Sequence, residues 1–339
     1  MRHAAIEFAQ QVDDAWNSGQ RFDLLFSTDM LNLAEFKGLL TTDAKNLPTV
    51  LYFHENQFVY PNRFEDLRDF HFSFTNFTSA IAADSVWFNS RFNHDSMMSE
   101  LKTLSKKWPD YSPNRAIDSI AGKTQIQPPG IEIPPSIASS LPNNPLHKPN
   151  DMLRIVWAAR WEHDKNPDLL LEILTNLKSN NVDFKLSVLG ESYREIPDVF
   201  EKIKHEFQDQ ICAWGFQETR EDYFSALARG NVFLSTADHE FFGLAAVEAI
   251  ACGLIPLLPN RLAYPEILRD DSIENPIQYL YNSVDDAVEK MLRIRNEVPA
   301  SGLASNLSQT ISKRYDAKTR AIEMDQALTA VKSAAKIEI

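Results

Sequence analysis

Two carboxylates stand eight positions apart in the stretch STADHEFFGLAAVEA, residues 235–249: Glu240 ahead of a run of small apolar residues, Glu248 inside it. A carboxylate within such a run is costly unless something pairs with it. Gly243 lets the backbone approach a ligand, and the amides of Phe242, Gly243, Leu244 and Ala245 would form an anion site at a helix N-terminus. Carboxylates accept paired hydroxyl hydrogens well, so a vicinal diol suits either acid. The alternative stays open: one acid favoured by the helix dipole, the other paired with a core Arg or Lys. A second cluster, RWEHDK, carries Arg160 and Lys165 ahead of a helical pattern opening at NPDLLLEIL. Two cations beside a helix N-terminus suit a diphosphate, although Glu162 and Asp164 are equally available as their partners. A third, LYFHENQFVYP, ends an apolar run with His54 and Glu55. His54 could donate to a phosphate or sugar oxygen or move a proton, or it could be structural.

The positioning elements are short apolar runs alternating with helix-length segments. Strands are expected at 22–28, 49–54, 85–90 and 124–129, then at 154–160, 184–190, 211–216, 232–237 and 255–260. Such alternation indicates parallel sheets covered on both faces. A stretch rich in Pro, Ser and Asn at 128–150 interrupts the series once. We therefore expect an α/β protein of two doubly wound domains: residues 1–130, a linker at 131–150, a second domain at 151–302, and an amphipathic helical tail at 303–339 that packs back on the first domain. Because ligands bind beyond the carboxyl ends of strands in open α/β sheets, the three clusters would face one cleft.

The chain has 339 residues, more than one core usually covers, and its net charge of -13 argues against indiscriminate binding to nucleic acid or an anionic membrane. No apolar run approaches a membrane span, and the N-terminus has no apolar core of a signal peptide, so a cytoplasmic protein is expected. Cys212 and Cys252 both lie among apolar residues and read as reduced core cysteines. There is no Gly-x-Gly-x-x-Gly, no phosphate-loop pattern, no nucleophile elbow and no metal-ligand cluster, so no metal is implied.

With this order and spacing, Arg160 and Lys165, Glu240 and Glu248, and PEIL at 265–268 resemble the retaining GT-B glycosyltransferases of family 4. The resemblance implies that the Arg/Lys pair binds the donor diphosphate, that Glu240 contacts the donor sugar, and that Glu248 contacts the ribose hydroxyls. Where that family commonly has Glu-Gly-Phe-Gly, this chain has Glu240-Phe241-Phe242-Gly243, so Phe241 is expected to reshape the sugar subsite. A narrower likeness, to the tRNA-queuosine α-mannosyltransferase group, rests on LYFHENQFVYP, RDFHFSFTNFTSAIAADSVWFNS, RWEHDKNPD, SVLGESYREIPDVF, WGF with DYF, and STADHEFFGLAAVEA. It implies a nucleotide sugar, GDP-mannose, as donor, with no metal or other cofactor. The implied acceptor is the cyclopentene-diol of queuosine in the anticodon of tRNA(Asp), and His54 is implied to serve the donor sugar and β-phosphate.

Members of this kind begin with a strand, a glycine loop and a helix; the chain is expected to lack that unit and to expose a sheet edge in its place. For a tRNA partner, the basic stretch KTLSKKW at 102–108 with Arg91, Arg115 and Lys123 is the candidate contact, or else a solvated helix face. Two other functions stay open: transfer to a glycolipid or polysaccharide, and nucleotide-sugar binding without turnover. The residues alone do not separate GDP from UDP donors or fix an oligomeric state.

Overall fold

Every strand among the described residues lies in one of two all-parallel sheets, as the apolar runs require. A computed structural model describes residues 3–60, 70–106, 112–141, 152–191, 196–273, 275–297 and 302–335. Much of the expected linker (142–150), residues 192–195 of SVLGESYREIPDVF, Arg68 and Asp69 of the aromatic-rich stretch, and Lys107 and Trp108 lie outside the described residues. Backbone contacts divide the chain into two units, Met1–Pro129 with Lys318–Ile339, and Gly130–Ala317.

In the first unit, β1 (Leu25–Thr28), β2 (Thr49–Phe53), β3 (Ser85–Phe88) and β4 (Thr124–Ile126) lie in the order β1-β2-β3-β4. The central strands are buried along their whole length, so no alternating pattern marks them. One face of the sheet packs through Leu51, Phe53, Val86 and Phe88 on the helices Ala4–Asn17, Leu33–Leu39, Phe70–Ala82 and Arg91–Ser105. The other face presents Val50, Tyr52 and Trp87 to Met324, Ala327, Leu328 and Val331 of the C-terminal helix Ala317–Ala335. β1 is an edge strand among the described residues, and Phe26 on it is 47% exposed.

The second unit contains β5 (Leu153–Ala158), β6 (Phe184–Leu189), β7 (Ile211–Gly215), β8 (Val232–Leu234), β9 (Ile255–Pro259) and β10 (Leu280–Tyr281), in the order β10-β9-β8-β5-β6-β7. β10 was not expected; two residues are too short for an apolar run to register. The tail is two helices rather than one. It breaks at Tyr315–Asp316, where Ile131 N–H donates to Tyr315 O and Ala317 N–H donates to Ile131 O. The expectation of two core cysteines fails for Cys212, which is exposed; β7 is an edge strand with little cover over it. Cys252 is buried as expected.

Asp13 fastens the first helix to the turn after the second. Its Oδ2 accepts from the Thr41 backbone and hydroxyl at 2.8 and 2.6 Å, and its Oδ1 from those of Thr42 at 3.1 and 2.6 Å. The Thr41 hydroxyl, then that of Thr42, hold the carboxyl down at about 2 against an ordinary 3.8. A depressed folded-state value means stability present above the unfolded value and lost as pH falls toward the folded one. Asp13→Asn should therefore lower unfolding stability by roughly 1–3 kcal/mol at pH 7, with the difference from wild type shrinking between pH 4 and 2 in urea titrations.

Candidate functional site

In the six-stranded sheet the chain runs outward from β5 to β6 and β7, then returns to place β8 on the other side of β5. The carboxyl ends of β5 and β8 thus flank a topological switch point, where open α/β sheets bind ligands. Both clusters of the second unit follow those two strands. After β5 come Arg160, a one-turn helix at His163–Lys165, and the helix Pro167–Ser179, whose first amides are capped by Asn166. After β8 come Asp238, His239 and Glu240, then the helix Leu244–Ala251.

Backbone bonds close the two loops on each other. Asp238 and His239 N–H both donate to Asp164 O, and the Trp157 indole donates to the Thr236 hydroxyl, which donates to Lys165 O. Lys165 lies inside this closure, 7% exposed. Its ammonium donates to His239 O at 2.7 Å and pairs with Asp164 at 3.2 Å and Glu240 Oε2 at 3.5 Å. The other Glu240 oxygen accepts the Phe242 N–H at 3.4 Å. Glu240 therefore holds both a cation and the Phe242 amide, one residue ahead of the helix N-cap, through the two longest contacts of the group. A pocket at this point is lined by Lys165, Glu240, Gly243, Ala245, Ser235 and Tyr264, with others.

Gly243 is the N-cap of the Leu244–Ala251 helix at φ +91°, and a Cβ there would come within 2.9 Å of Ile267 Cδ1. Both the handedness and the space favour glycine. The Phe242 ring is buried edge-on against Tyr315 at 5.5 Å, which leaves its backbone as its contribution to the site. Leu244 is 45% exposed at the helix start. The Phe241 ring is 5% exposed and packs edge-on against His239 at 4.5 Å. The ring is thus turned into the protein, against the loop that carries Glu240. Tyr264, fully enclosed beside Gly243, is bonded to the Ser235 hydroxyl at 2.6 Å. The PEIL turn that follows it is closed by the Arg314 guanidinium on the carbonyls of Glu266, Ile267 and Arg269.

Glu248 is 7% exposed. Tyr223 OH donates to its Oε2 at 3.0 Å, and Arg220 Nη2 stands 3.9 Å from Oε1. Burial pushes its carboxyl up, opposed by the Tyr223 bond and the Arg220 charge. Arg220 also donates to Glu132 O at 2.7 Å. Arg160 is half-exposed and pairs with Glu162 at 3.3 Å. Each of these charged side chains thus has a protein partner, and Lys165 and Glu240 line the pocket at the switch point.

Sequence reasoning named Asp164 as a partner for Lys165, and the pair forms at 3.2 Å, but it missed His239, Tyr223 and Arg220. Tyr223 is 25 positions from Glu248, and no local pattern links them. His239 is kept neutral at pH 7, its pKa lowered to about 4 by burial and then by the Lys165 charge.

His54 belongs to the first unit, at the end of β2, with its side chain 59% exposed. Its N–H donates to Asp29 Oδ1 at 3.0 Å, its Nδ1 stands 3.4 Å from the same oxygen, and its carbonyl accepts from Asn89. Of the basic residues noted around 102–123, Lys123 caps the end of the Phe70–Ala82 helix through Ile81 O and Ala83 O. It is a structural cation, whereas Arg91, Lys102 and Arg115 are exposed. Removing the buried Lys165 ammonium strands Asp164 and Glu240. Lys165→Met should lower unfolding stability by about 3 kcal/mol in denaturant titrations, where an exposed lysine such as Lys102 should change little.

Comparison with known proteins places this geometry. Residues 1–131 match the family model described as tRNA-queuosine alpha-mannosyltransferase N-terminal, and residues 143–309 match Glycosyl transferases group 1. The chain is 36% identical over 293 residues to a Drosophila melanogaster protein named tRNA-queuosine alpha-mannosyltransferase, covering 86% of this chain and 74% of that one. It is 26% identical over 204 residues to a component of the human phosphatidylinositol N-acetylglucosaminyltransferase, 54% of this chain and 41% of that one. Among solved structures, sucrose-phosphate synthase from Thermosynechococcus elongatus superposes with a TM-score of 0.68 at 17% identity, over 98% of this chain and 79% of that one. A UDP-forming α,α-trehalose-phosphate synthase from Burkholderia xenovorans gives 0.66 at 13% identity, over 97% and 79%. The fold is that of the GT-B glycosyltransferases. The chain is a glycosyltransferase and belongs to the tRNA-queuosine alpha-mannosyltransferase family.

Proposed function

We propose that the chain transfers mannose from GDP-mannose, with retention and without a metal, to the cyclopentene-diol of queuosine in the anticodon of tRNA(Asp), acting in the cytoplasm. The observation that carries the donor half is the buried Lys165 ammonium at the switch point, joined to Glu240 by a long contact of 3.5 Å. The acceptor half is supported by the name of the Drosophila relative.

In this reading the diphosphate takes the place that the Glu240 carboxylate holds between the Lys165 ammonium and the Phe242 amide. Glu240, released, accepts hydrogen bonds from the mannose hydroxyls. Arg160, exposed beside Lys165, adds its guanidinium to the phosphate oxygens, and the amides of Gly243 and Leu244 add the helix N-terminus. Glu248 takes the ribose hydroxyls on Oε1, displacing the long Arg220 contact, while Tyr223 keeps Oε2 in place.

The bond from mannose C1 to the β-phosphate oxygen breaks, and the diphosphate leaves with the bonding pair. An acceptor hydroxyl oxygen bonds C1 on the same face, and its proton passes to the departing phosphate oxygen. Preorganised cations around the leaving group supply the main lowering of the barrier. In the first unit His54 is assigned to the donor sugar and β-phosphate, as a hydrogen-bond donor rather than a nucleophile. Exposed Arg91, Lys102 and Arg115 support phosphate contacts to tRNA.

Incubating the protein with radiolabelled GDP-mannose and tRNA from queuosine-replete and queuosine-free cells tests the whole scheme. Label should enter only the replete tRNA, and label in neither would contradict the acceptor. Glu240→Gln should lower kcat by roughly 10²–10³-fold without weakening GDP binding, because the diphosphate no longer displaces a carboxylate from Lys165, and a wild-type rate from that variant would remove Glu240 from the mechanism.

A further inference from the structure

A second pocket lies wholly in the first unit, at the carboxyl end of β1. Asp29, Asn32, Glu35, Gln57, Thr75 and Phe72 are among its lining residues, and no lysine or arginine is found there among the described residues. Most of the polar groups of the wall are already engaged. The Asn32 side chain caps the Leu33–Leu39 helix and donates to Glu35, the Asn76 carbonyl accepts the Gln57 N–H, and the Gln57 amide donates to Glu55.

Asp29 is the exception. Its side chain is 1% exposed, and its backbone is tied by Asp29 N–H to Tyr52 O and by Asn76 Nδ2 to Asp29 O. Oδ1 takes the His54 N–H. Oδ2 is buried with no hydrogen-bond partner among the described residues. A buried carboxylate oxygen left without a donor is expensive, and such groups in native proteins mark a function or a bound group. Glu35 adds a second negative charge on the wall, and Phe72 and Met30, 41% and 45% exposed, supply apolar surface for the face of a small ring.

We propose that this pocket binds a small hydroxylated ring bearing a protonated amine, with the amine donating to Asp29 Oδ2. The proposal rests on the acceptor reading above, because the cyclopentene-diol of queuosine is joined to its base through a secondary amine. Asp29 holds the His54 backbone on one oxygen and would hold the amine on the other. The diol of a bound acceptor therefore lies beside His54. Asp29 and Glu35 are binding residues for the acceptor.

Calorimetric titration of the full chain with the free aminocyclopentenediol, and with the same diol lacking nitrogen, tests this. The amine should bind at least about tenfold more tightly than the deaminated diol, as expected for a hydrogen bond to a charged group. Asp29→Asn keeps an acceptor for the His54 N–H and should lose that advantage, and Glu35→Gln should lose part of it. Thermal melting and GDP titration of each variant check that both units remain folded.

Equal affinities for the two diols, unchanged affinity in Asp29→Asn, or no detectable amine binding would overturn the proposal. Failure of the acceptor reading looks different: Asp29-dependent amine binding would persist while queuosine-containing tRNA receives no mannose. If that tRNA is mannosylated with the same acceptor KM by wild type, Asp29→Asn and Glu35→Gln, the pocket assignment falls alone.

Discussion

One buried ammonium organises the second unit. Lys165 lies between the loop that leaves β5 and the loop that leaves β8, and its charge is met by a carbonyl and two carboxylates. Burying it is costly, so every neighbour is committed: Asp164 faces it, His239 stays neutral beside it, and Glu240 completes the group. The turn at Asn166, in the left-handed region at φ 48°, and the glycine at 243 let two helices start against this charge. This buried charge thus lies at the topological switch point of the sheet, where the proposed diphosphate would replace a carboxylate.

The parallel sheets were legible because strands buried on both faces read as unbroken apolar runs, and each run expected from 22–28 to 255–260 overlaps one of the strands β1 to β9. The two-residue β10 was invisible for the same reason, being too short to make a run. The amphipathic tail was legible as helix but not as two helices. Its break depends on Tyr315, which is buried under Phe242 and whose carbonyl is bonded to Ile131, and nothing local to 303–335 announces that. Charged residues at strand ends were legible from type and spacing. Their near partners, Glu162 for Arg160 and Asp164 for Lys165, were legible too, but the distant ones were not: Tyr223 and Arg220 reach Glu248 across 25 and 28 positions, and Lys165 reaches His239 across 74. Phe241 marks the limit of reading by substitution, since the missing glycine suggested an altered subsite and the fold shows a ring turned into the protein.

The two units handle carboxylates in opposite ways. In the second, Asp164, Glu240 and Glu248 each stand within 4 Å of a cation, Lys165 or Arg220. In the first, Asp13 is fully engaged and structural, while Asp29 keeps one buried oxygen without a donor among the described residues. A group satisfied at every lone pair builds the fold; one left short by a single bond asks for a ligand.

The central claim is that the Lys165 cluster is a diphosphate site, and the most direct measurement compares GDP with guanosine by calorimetry on the wild-type chain and on Arg160→Ala. GDP should bind roughly a hundredfold more tightly than guanosine, and the advantage should fall by at least about tenfold in Arg160→Ala. Equal affinities for GDP and guanosine on the wild-type chain would contradict the account.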